Sequence, residues 1–354
     1  MNDHRAPIAP RAGNARGAVV VLFVLILPVL LGFTAFALDL ARLVTVRAEL
    51  QNAADAAALA GARALVSGGG AAAYDWLSAE STANTAIALN ESDDGLLAPS
   101  GVYAASTGYW NLTNPELGLR APGESGAPVS GDQPAVEVVL RFSSNRNQPG
   151  GVRLFFAPVL GINRRDVSAR AVAVVSPPGA AYTGSLFPMV ISQCMYDNFW
   201  DAATARPKID PATGQPYSLD IGSTYFSTCV SGQWSTFNTV QNDVPFVQGL
   251  INNGNPVDLA IGSNTYIQSG VKDALFNDVP TNRIVTIAVV NTVVTGSNQP
   301  IVAFAGFHLK GSIKIGGKSY IRGQFVANHV AAGTSPGSGT GAYYGAVTPP
   351  LLTF

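Results

Sequence analysis

Residues 17–65 read GAVVVLFVLILPVLLGFTAFALDLARLVTVRAELQNAADAAALAGARAL, and this stretch decides how the rest of the chain is organised. Its first part, residues 18–38, contains no charged side chain. At about 1.5 Å per helical residue, these residues cover roughly 31 Å, which matches the hydrocarbon thickness of a bilayer. Pro28 is tolerated in a spanning helix because neighbouring groups can satisfy the freed carbonyl. The stretch therefore predicts a membrane-spanning helix.

The same helix is predicted to continue beyond the membrane. From Asp39 onwards Ala, Leu, Arg, Gln and Glu dominate, and no glycine or proline appears before Gly61. Ala53, Ala57 and Gly61 lie four residues apart and form a narrow face of small side chains. Such a face lets another helix or a sheet approach closely, so we expect it to pack against a partner or the chain's own body. The alternative interpretation is that these alanines only favour helix formation and that this part of the helix buries little surface.

Charges on the two sides of the span predict its orientation. Only Asp3 opposes the basic side chains that precede the span, which are His4, Arg5, Arg11 and Arg16. The charges that follow the span nearly cancel, and they are Asp39, Arg42, Arg47 and Glu49. The positive-inside rule then places residues 1–16 in the cytoplasm as a short basic tail, and the chain after Asp39 outside it.

A cleaved signal peptide is the alternative interpretation of the apolar run. Ala35-Phe36-Ala37 offers a small-x-small cleavage site. The apolar core of a signal peptide is usually about 7 to 15 residues long, and this run is longer. The residues after the candidate site also continue a helical pattern, which presents an extended peptide to a peptidase poorly. These two features favour an uncleaved anchor.

Several features of the stretch resemble a known family. A basic residue and a glycine precede the span, a proline lies within it and an aspartate closes it, at Arg16, Gly17, Pro28 and Asp39. A QNAADAAALAGA motif follows at residues 51–62. This arrangement resembles the N-terminal TadE/G-like segment of the TadG-like proteins of Flp (tight adherence) pilus assembly. A processed type IV prepilin has a Glu five residues after its cleavage glycine, whereas this chain has Leu22, so prepilin-type cleavage at Gly17 is not expected.

The resemblance implies a function, a location and partners. It implies a non-enzymatic, membrane-anchored component of Flp/Tad pilus assembly or secretion in the bacterial inner membrane. Its extracytoplasmic body, periplasmic or surface-exposed, would contact the pilus or envelope machinery. The partners it implies are membrane lipid and other Tad/Flp assembly proteins, and the N-terminal helix offers a route to an oligomer. The resemblance implies no cofactor.

The remainder of the chain predicts two extracytoplasmic domains. Residues 66–176 combine helical spacing over residues 72–90 with alternating strands such as AVEVVLRF, which indicates an α+β domain. RLFFAPVLG, residues 153–161, is expected to form a short apolar helix that Pro158 distorts or ends. Ser176-Pro177-Pro178-Gly179 marks the boundary to the next domain.

The second domain, residues 180–330, is predicted to be β-rich because short apolar runs alternate with Gly, Asn and Pro turns. Gly316-Gly317 is expected to be a hairpin turn, and residues 271–276 a helix. Residues 331–354 are rich in glycine and proline and are predicted to be a flexible tail. The predicted fold class is a single-pass membrane anchor continuing into a long N-terminal helix, followed by an α+β domain and a β-rich domain.

Composition and rare residues limit the chemistry. The chain has 21 Lys and Arg against 22 Asp and Glu, with 12% charged residues, so it lacks the clustered basic side chains that a nucleic-acid surface needs. Cys194 and Cys229 are its two cysteines, and outside the cytoplasm they predict a structural disulfide, with two buried thiols as the alternative. Neither His308 nor His329 lies in a catalytic or zinc motif, and no Asp-x-Ser-x-Ser string of an adhesive metal site occurs. We therefore expect neither an enzyme nor a metal site.

Aromatic side chains follow both cysteines. They are Tyr196, Phe199 and Trp200 after the first, and Trp234 and Phe237 after the second. A disulfide would bring the two groups together. They would then form either a satellite core, which we favour, or a binding face. The second possibility supports an alternative function, a surface adhesin or ligand-binding module around the Cys194-Cys229 pair.

Overall fold

The computed structural model describes residues 16–66, 74–92, 95–97, 104–143, 150–241, 243–270, 273–336 and 342–353. The predicted cytoplasmic tail lies outside the described residues except for Arg16. The chain consists of a long N-terminal helix, a small helix with a first sheet, and a larger strand-rich unit.

Helix α1 (Arg16–Ala64) is 49 residues long and continues through Pro28, which gives a length of about 74 Å. It is long and apolar enough to cross a membrane, and no residue of its most apolar segment is buried against the rest of the chain. The second half differs, because from Val46 onwards side chains such as Leu50 and Ala54 are buried. One helix therefore forms both a candidate membrane span and part of the folded body. The sequence predicted the single long helix but left open whether its second half packs on a partner or on the chain's own body.

The first sheet is antiparallel and forms beside α1 in the order β3-β2-β1, with β1 (Ala104–Asn111), β2 (Asp132–Phe142) and β3 (Val167–Val174). Asp75 is the N-cap of helix α2 (Trp76–Ala88), and its side chain accepts a hydrogen bond from the Ser78 N–H at 2.9 Å. Both helices pack on one face of this sheet.

Alternation along β2 explains this packing. Val136, Val138 and Leu140 are fully buried and face α1 and α2 in one core cluster. The opposite face has a smaller cluster of Trp110, Ala135, Val172 and Val174. The first sheet is thus covered mainly by the second half of α1.

The larger sheet has seven strands, β4 (Met189–Ser192), β5 (Leu219–Ile221), β6 (Gly232–Phe237), β7 (Asn264–Ile267), β8 (Arg283–Val290), β9 (Ser297–Ile315) and β10 (Lys318–Phe325). Their order is β5-β10-β9-β7-β6-β4-β8, and β8 pairs with β9 as well. The pairings β9-β7-β6-β4-β8-β9 therefore close a ring, in which β8 and β4 are parallel. A tight turn joins β9 to β10, with φ values of 59° and 80° at Gly316 and Gly317. This is the predicted hairpin.

Two short helices in this unit were not predicted. They are α3 (Gln193–Phe199) and α4 (Val244–Asn253). The α4 start could have been recognised, because the Asp243 side chain accepts a hydrogen bond from the Phe246 N–H and Pro245 lies in the first turn. The sheet buries both faces, since Met189 and Ile191 belong to one core cluster and Val190 to another.

Two expected helices are tighter than the sequence suggested, and the first of them is also shorter. Residues Ala157–Leu160 and Asp273–Asp278 form 3-10 turns. Pro158 lies in the first turn of Ala157–Leu160. A proline is tolerated there because the first N–H groups of a helix have no partner within it, and the turn ends only two residues later. Another 3-10 turn is Pro115–Leu117, and two-residue strands lie at Glu91–Ser92, Gly95–Leu96, Val152–Arg153, Arg164–Arg165, Ala180–Ala181, Trp200–Asp201, Arg206–Pro207, Ile209–Asp210, Gln215–Pro216, Thr224–Tyr225, Cys229–Val230, Leu259–Ala260, His329–Val330, Thr334–Ser335 and Ala346–Val347.

The C-terminal residues differ from the flexible tail that was predicted for residues 331–354. Strand β11 (Leu351–Leu352) pairs with β3 of the first sheet, and the Thr348 N–H donates to the Ser176 carbonyl at 2.8 Å. Ala346 and Val347 are fully buried. Residues 331–354 are rich in Gly and Pro. A few apolar side chains are nevertheless enough to hold residues 342–353 against both sheets.

Candidate functional site: the junction of α1 and the body

Asp39 joins the end of the apolar span to the body. Its carboxylate accepts hydrogen bonds from three consecutive backbone N–H groups, at 2.7 Å from Phe155, 3.1 Å from Phe156 and 2.7 Å from Ala157. These groups open the Ala157–Leu160 turn, where the first N–H groups have no partner within the turn. Asp39 is 4% exposed. The residue that ends the uncharged run therefore fixes the body to α1.

A second contact lies one turn further along α1. The Arg42 guanidinium carbon lies 4.6 Å from the centre of the Phe155 ring, within the range of a cation–π interaction. Asp39 and Arg42 thus contact the same loop. Asp39 bonds to backbone N–H groups of the loop, and Arg42 packs on the side chain of Phe155. The sequence indicated Asp39 as a charge and a family landmark and Arg42 as a charge, and it predicted neither of these contacts.

The small-residue face of α1 lies against the chain's own body. Ala53 and Ala57 are buried. A Cβ added at Gly61 would lie 2.9 Å from the Ala83 Cβ and 3.0 Å from a Val136 methyl. Both distances are shorter than an ordinary carbon–carbon contact. The small side chains therefore allow α1 to cross α2 and β2 at close range.

Gln51 connects α1 to the first sheet in a way that sequence reasoning missed. Its amide nitrogen donates to the Asp55 carboxylate at 2.8 Å and to the Arg170 carbonyl of β3 at 3.1 Å. The Arg170 guanidinium in turn pairs with Glu137 of β2. The signal was present, because Gln51 and Asp55 are two of the three polar residues in the QNAADAAALAGA motif.

A family comparison matches this junction. Residues 17–64 match the model described as "Putative Flp pilus-assembly TadE/G-like". The N-terminal helix is a TadE/G-like segment. The match begins one residue after α1 begins and ends with α1 at residue 64. No curated protein and no solved structure matches the chain.

The TadE/G-like segment includes the predicted landmarks except Arg16, which lies one residue before it. Gly17 lies in the first turn of α1, Pro28 inside the apolar half and Asp39 at its end, and the motif that begins at Gln51 lies on the body. The hydrogen bonds of Asp39 and Gln51 give a physical reason for polar residues at these two positions. Asp39 accepts from N–H groups of the body, and Gln51 donates to a carbonyl of the body. Without these side chains, α1 would cover the same backbone groups and leave them without a hydrogen-bond partner.

The cysteine region lies in the strand-rich unit, beyond the TadE/G-like segment. Cys194 and Cys229 form the predicted disulfide, across a sequence separation of 35 residues. In the chain-entropy model, closing such a loop contributes about 4 kcal/mol. It links α3 to the two-residue strand before β6.

The aromatic side chains beside the disulfide form a core. Tyr196 and Trp234 are 1% and 3% exposed, and Tyr196 stacks on Phe325 with 3.9 Å between ring centres. Burial raises the pKa of Tyr196 well above its usual value. Trp200 and Phe237 are also buried. Phe237 belongs to a different core cluster from Tyr196 and Trp234, and Phe199 is only partly buried. The four buried rings therefore fit the core interpretation and do not form an exposed binding face.

The remaining polar candidates are separate. His308 Nε2 lies 2.8 Å from Asn282 Oδ1 at the surface, and His329 Nε2 lies 3.1 Å from Thr286 Oγ1. Among the described residues, no three His, Cys, Asp or Glu side chains are grouped so that they could hold a metal. The junction of α1 and the body is therefore the feature that carries the functional argument.

Proposed function

We propose that this chain is a membrane-anchored, non-enzymatic component of Flp/Tad pilus assembly or secretion. One observation carries the proposal: the TadE/G-like match coincides with a single helix whose first half is apolar and exposed and whose second half is built into the body. A helix of this kind holds a folded body at a fixed height above a membrane. Its role is mechanical, since Asp39 and Gln51 both bond to backbone groups.

Topology and partners belong to the same proposal. The charges around the span favour a cytoplasmic N-terminus and an extracytoplasmic body in the inner membrane, and the disulfide suits that oxidising side. The small face of Ala53, Ala57 and Gly61 is occupied by the chain's own body. Contacts with other Tad proteins or a second copy would therefore use the exposed residues of the span or the outer surface of the body.

The test compares two versions of the chain in a deletion strain of the bacterium that encodes it. One carries the natural anchor, and in the other residues 1–37 are replaced by a cleavable secretion signal that releases the same body. We expect only the anchored version to fractionate with the inner membrane and to restore surface pili. Normal pili with the released body would contradict the proposal. A mature N-terminus at Leu38 in the natural chain would support the signal-peptide alternative.

A further inference from the structure

Among the described residues, a short apolar loop beside the span is largely exposed. This apolar loop, residues 154–162, contains four large side chains that point away from the body, and their exposed fractions are 65% for Phe155, 44% for Phe156, 89% for Val159 and 81% for Leu160. A loop of a water-soluble surface seldom exposes such a cluster. The charges and the position of the neighbouring residues indicate what covers it.

The apolar loop runs back along the span. Asp39 fixes the start of the loop at the point where the uncharged run ends. A groove of about 550 Å³ lies between the loop and α1, lined by Phe156, Val159 and Leu160 on one side and by α1 residues from Leu31 to Asp39 on the other. Gly32 lies seven residues before Asp39, which is roughly 10 Å along the helix. The loop tip is therefore beside the uncharged span and not above it.

Exposed basic side chains outnumber the one exposed carboxylate, Asp166, at the base of the same loop. The strands that lead into and out of it pair Arg153 with Arg164 and Val152 with Arg165, and all three arginines are exposed. Arg42 covers the Phe155 ring from the α1 side. An apolar tip with a basic base is the pattern of a segment that enters a membrane, because long basic side chains reach the headgroup phosphates while apolar groups reach the acyl chains.

We propose that the apolar loop is a second membrane-inserted element, which enters the outer half of the bilayer beside α1 so that phospholipid acyl chains fill the groove. The inference rests on the membrane anchoring proposed above. The span itself forms one side of the groove. The acyl chains that surround the span therefore extend into the groove. Two inserted elements fix the tilt and rotation of the body over the membrane, whereas one helix would leave the body free to rotate about the helix axis.

The test measures lipid contact at single labelled sites in the full chain. Because Cys194 and Cys229 are joined, one added cysteine is the only free thiol. We compare Val159→Cys in the loop with Leu77→Cys on α2, which is 80% exposed and therefore a matched site, and with Leu30→Cys in the span. Each is labelled with an environment-sensitive fluorophore and reconstituted into phosphatidylcholine nanodiscs, with and without a nitroxide on the acyl chain.

We expect the labels at residues 159 and 30 to emit at shorter wavelength, to be quenched by the nitroxide lipid and to resist aqueous iodide. The label at residue 77 should show the opposite behaviour. A label at residue 159 that behaves like the one at residue 77, while residue 30 remains quenched by lipid, overturns the loop insertion and leaves the anchor intact. Shielding of residue 159 from both quenchers means a protein partner covers it, which also overturns the proposal. Loss of lipid quenching at residue 30 contradicts the anchor itself.

Discussion

At the scale of single residues, the junction depends on a few polar groups in apolar surroundings. Asp39 is the clearest case, because one carboxylate accepts from three successive N–H groups of the body. A sequence pattern that counts Asp39 only as the end of a hydrophobic run does not reveal these partners, since they lie more than 110 residues away.

Replacing Asp39 with alanine should loosen the loop without unfolding the body. The N–H groups of Phe155 and Ala157 would lose their acceptor, and we expect their hydrogen exchange to accelerate roughly tenfold, as for the loss of a single hydrogen bond. Asp39→Asn keeps one oxygen acceptor and should have a smaller effect. Hydrogen exchange with mass spectrometry of the detergent-solubilised chain measures both. Unchanged exchange at residues 155–157 in the alanine variant would show that Asp39 does not hold the loop.

A half-buried histidine predicts how the stability of the body depends on pH. Burial lowers the pKa of His329 below its ordinary value of 6.5. The unfolded chain therefore binds a proton near pH 6.5, before the folded chain does, so the free energy of unfolding should fall as the pH drops below about 7. The slope is at most about 1.4 kcal/mol per pH unit for one histidine. Denaturant unfolding between pH 5 and pH 8 measures it.

The control for this prediction separates the two histidines of the body. Burial, with a further contribution from Lys310, also lowers the pKa of His308. His329→Gln should remove part of the pH dependence, and His308→Gln should remove the remainder. If both single variants keep the full slope of the natural chain, neither histidine causes it.

At the scale of elements, the sequence predicted the parts whose pattern is local. The long helix followed from its uncharged run and its Ala-rich continuation, and the β2 strand followed from the alternation of Val136, Val138 and Leu140. Helix α4 was missed because it is only ten residues long and contains Pro245 and Gly249. Its start depends on the Asp243 side chain, which is a capping signal and not a hydrophobic period.

Other contacts of the junction could not be predicted from the sequence at all. The small face was recognised from its spacing, but not which surface it meets. That surface consists of α2 and β2, which contact Gly61 because both helices pack on the same face of the first sheet. In the same way, the bond from Gln51 to the Arg170 carbonyl joins residues 119 positions apart. Such contacts follow from topology and not from local propensity.

The crossing of α1 over α2 can be tested with two glycines that both lie in helices. Gly61→Ala should destabilise the chain by about 1–3 kcal/mol, because its new Cβ would lie 2.9 Å from Ala83 and neither backbone can move freely. Gly249→Ala in α4 meets nothing within 4 Å, so the better helix propensity of alanine should stabilise it by up to about 1 kcal/mol. Denaturant unfolding compares the two. Equal effects with the same sign would contradict the proposed close packing.

At the scale of the whole molecule, the C-terminal residues join parts of the chain that differ in architecture. Strand β11 extends the first sheet through β3, whereas Tyr344 packs edge-on against Tyr196 in the core of the strand-rich unit. Between them Val347 is fully buried, and its carbonyl accepts from the Ala331 N–H at 2.8 Å. The segment that composition described as a tail therefore belongs to both cores, so the two units should unfold together.

Two truncations test this coupling. Ending the chain after residue 341 removes the buried side chains of Tyr344 and Val347, and it should cost at least about 3 kcal/mol, since each fully buried large side chain contributes about 1.5–3 kcal/mol. Ending it after residue 350 removes β11 and the two residues that follow it, and should cost less. Denaturant unfolding followed separately by tryptophan fluorescence and by protease cleavage near residues 176–180 measures stability and coupling. The longer truncation should split one transition into two, because the segment shared by the two units is gone. A single transition at the midpoint of the natural chain would mean that residues 342–354 do not couple the two units.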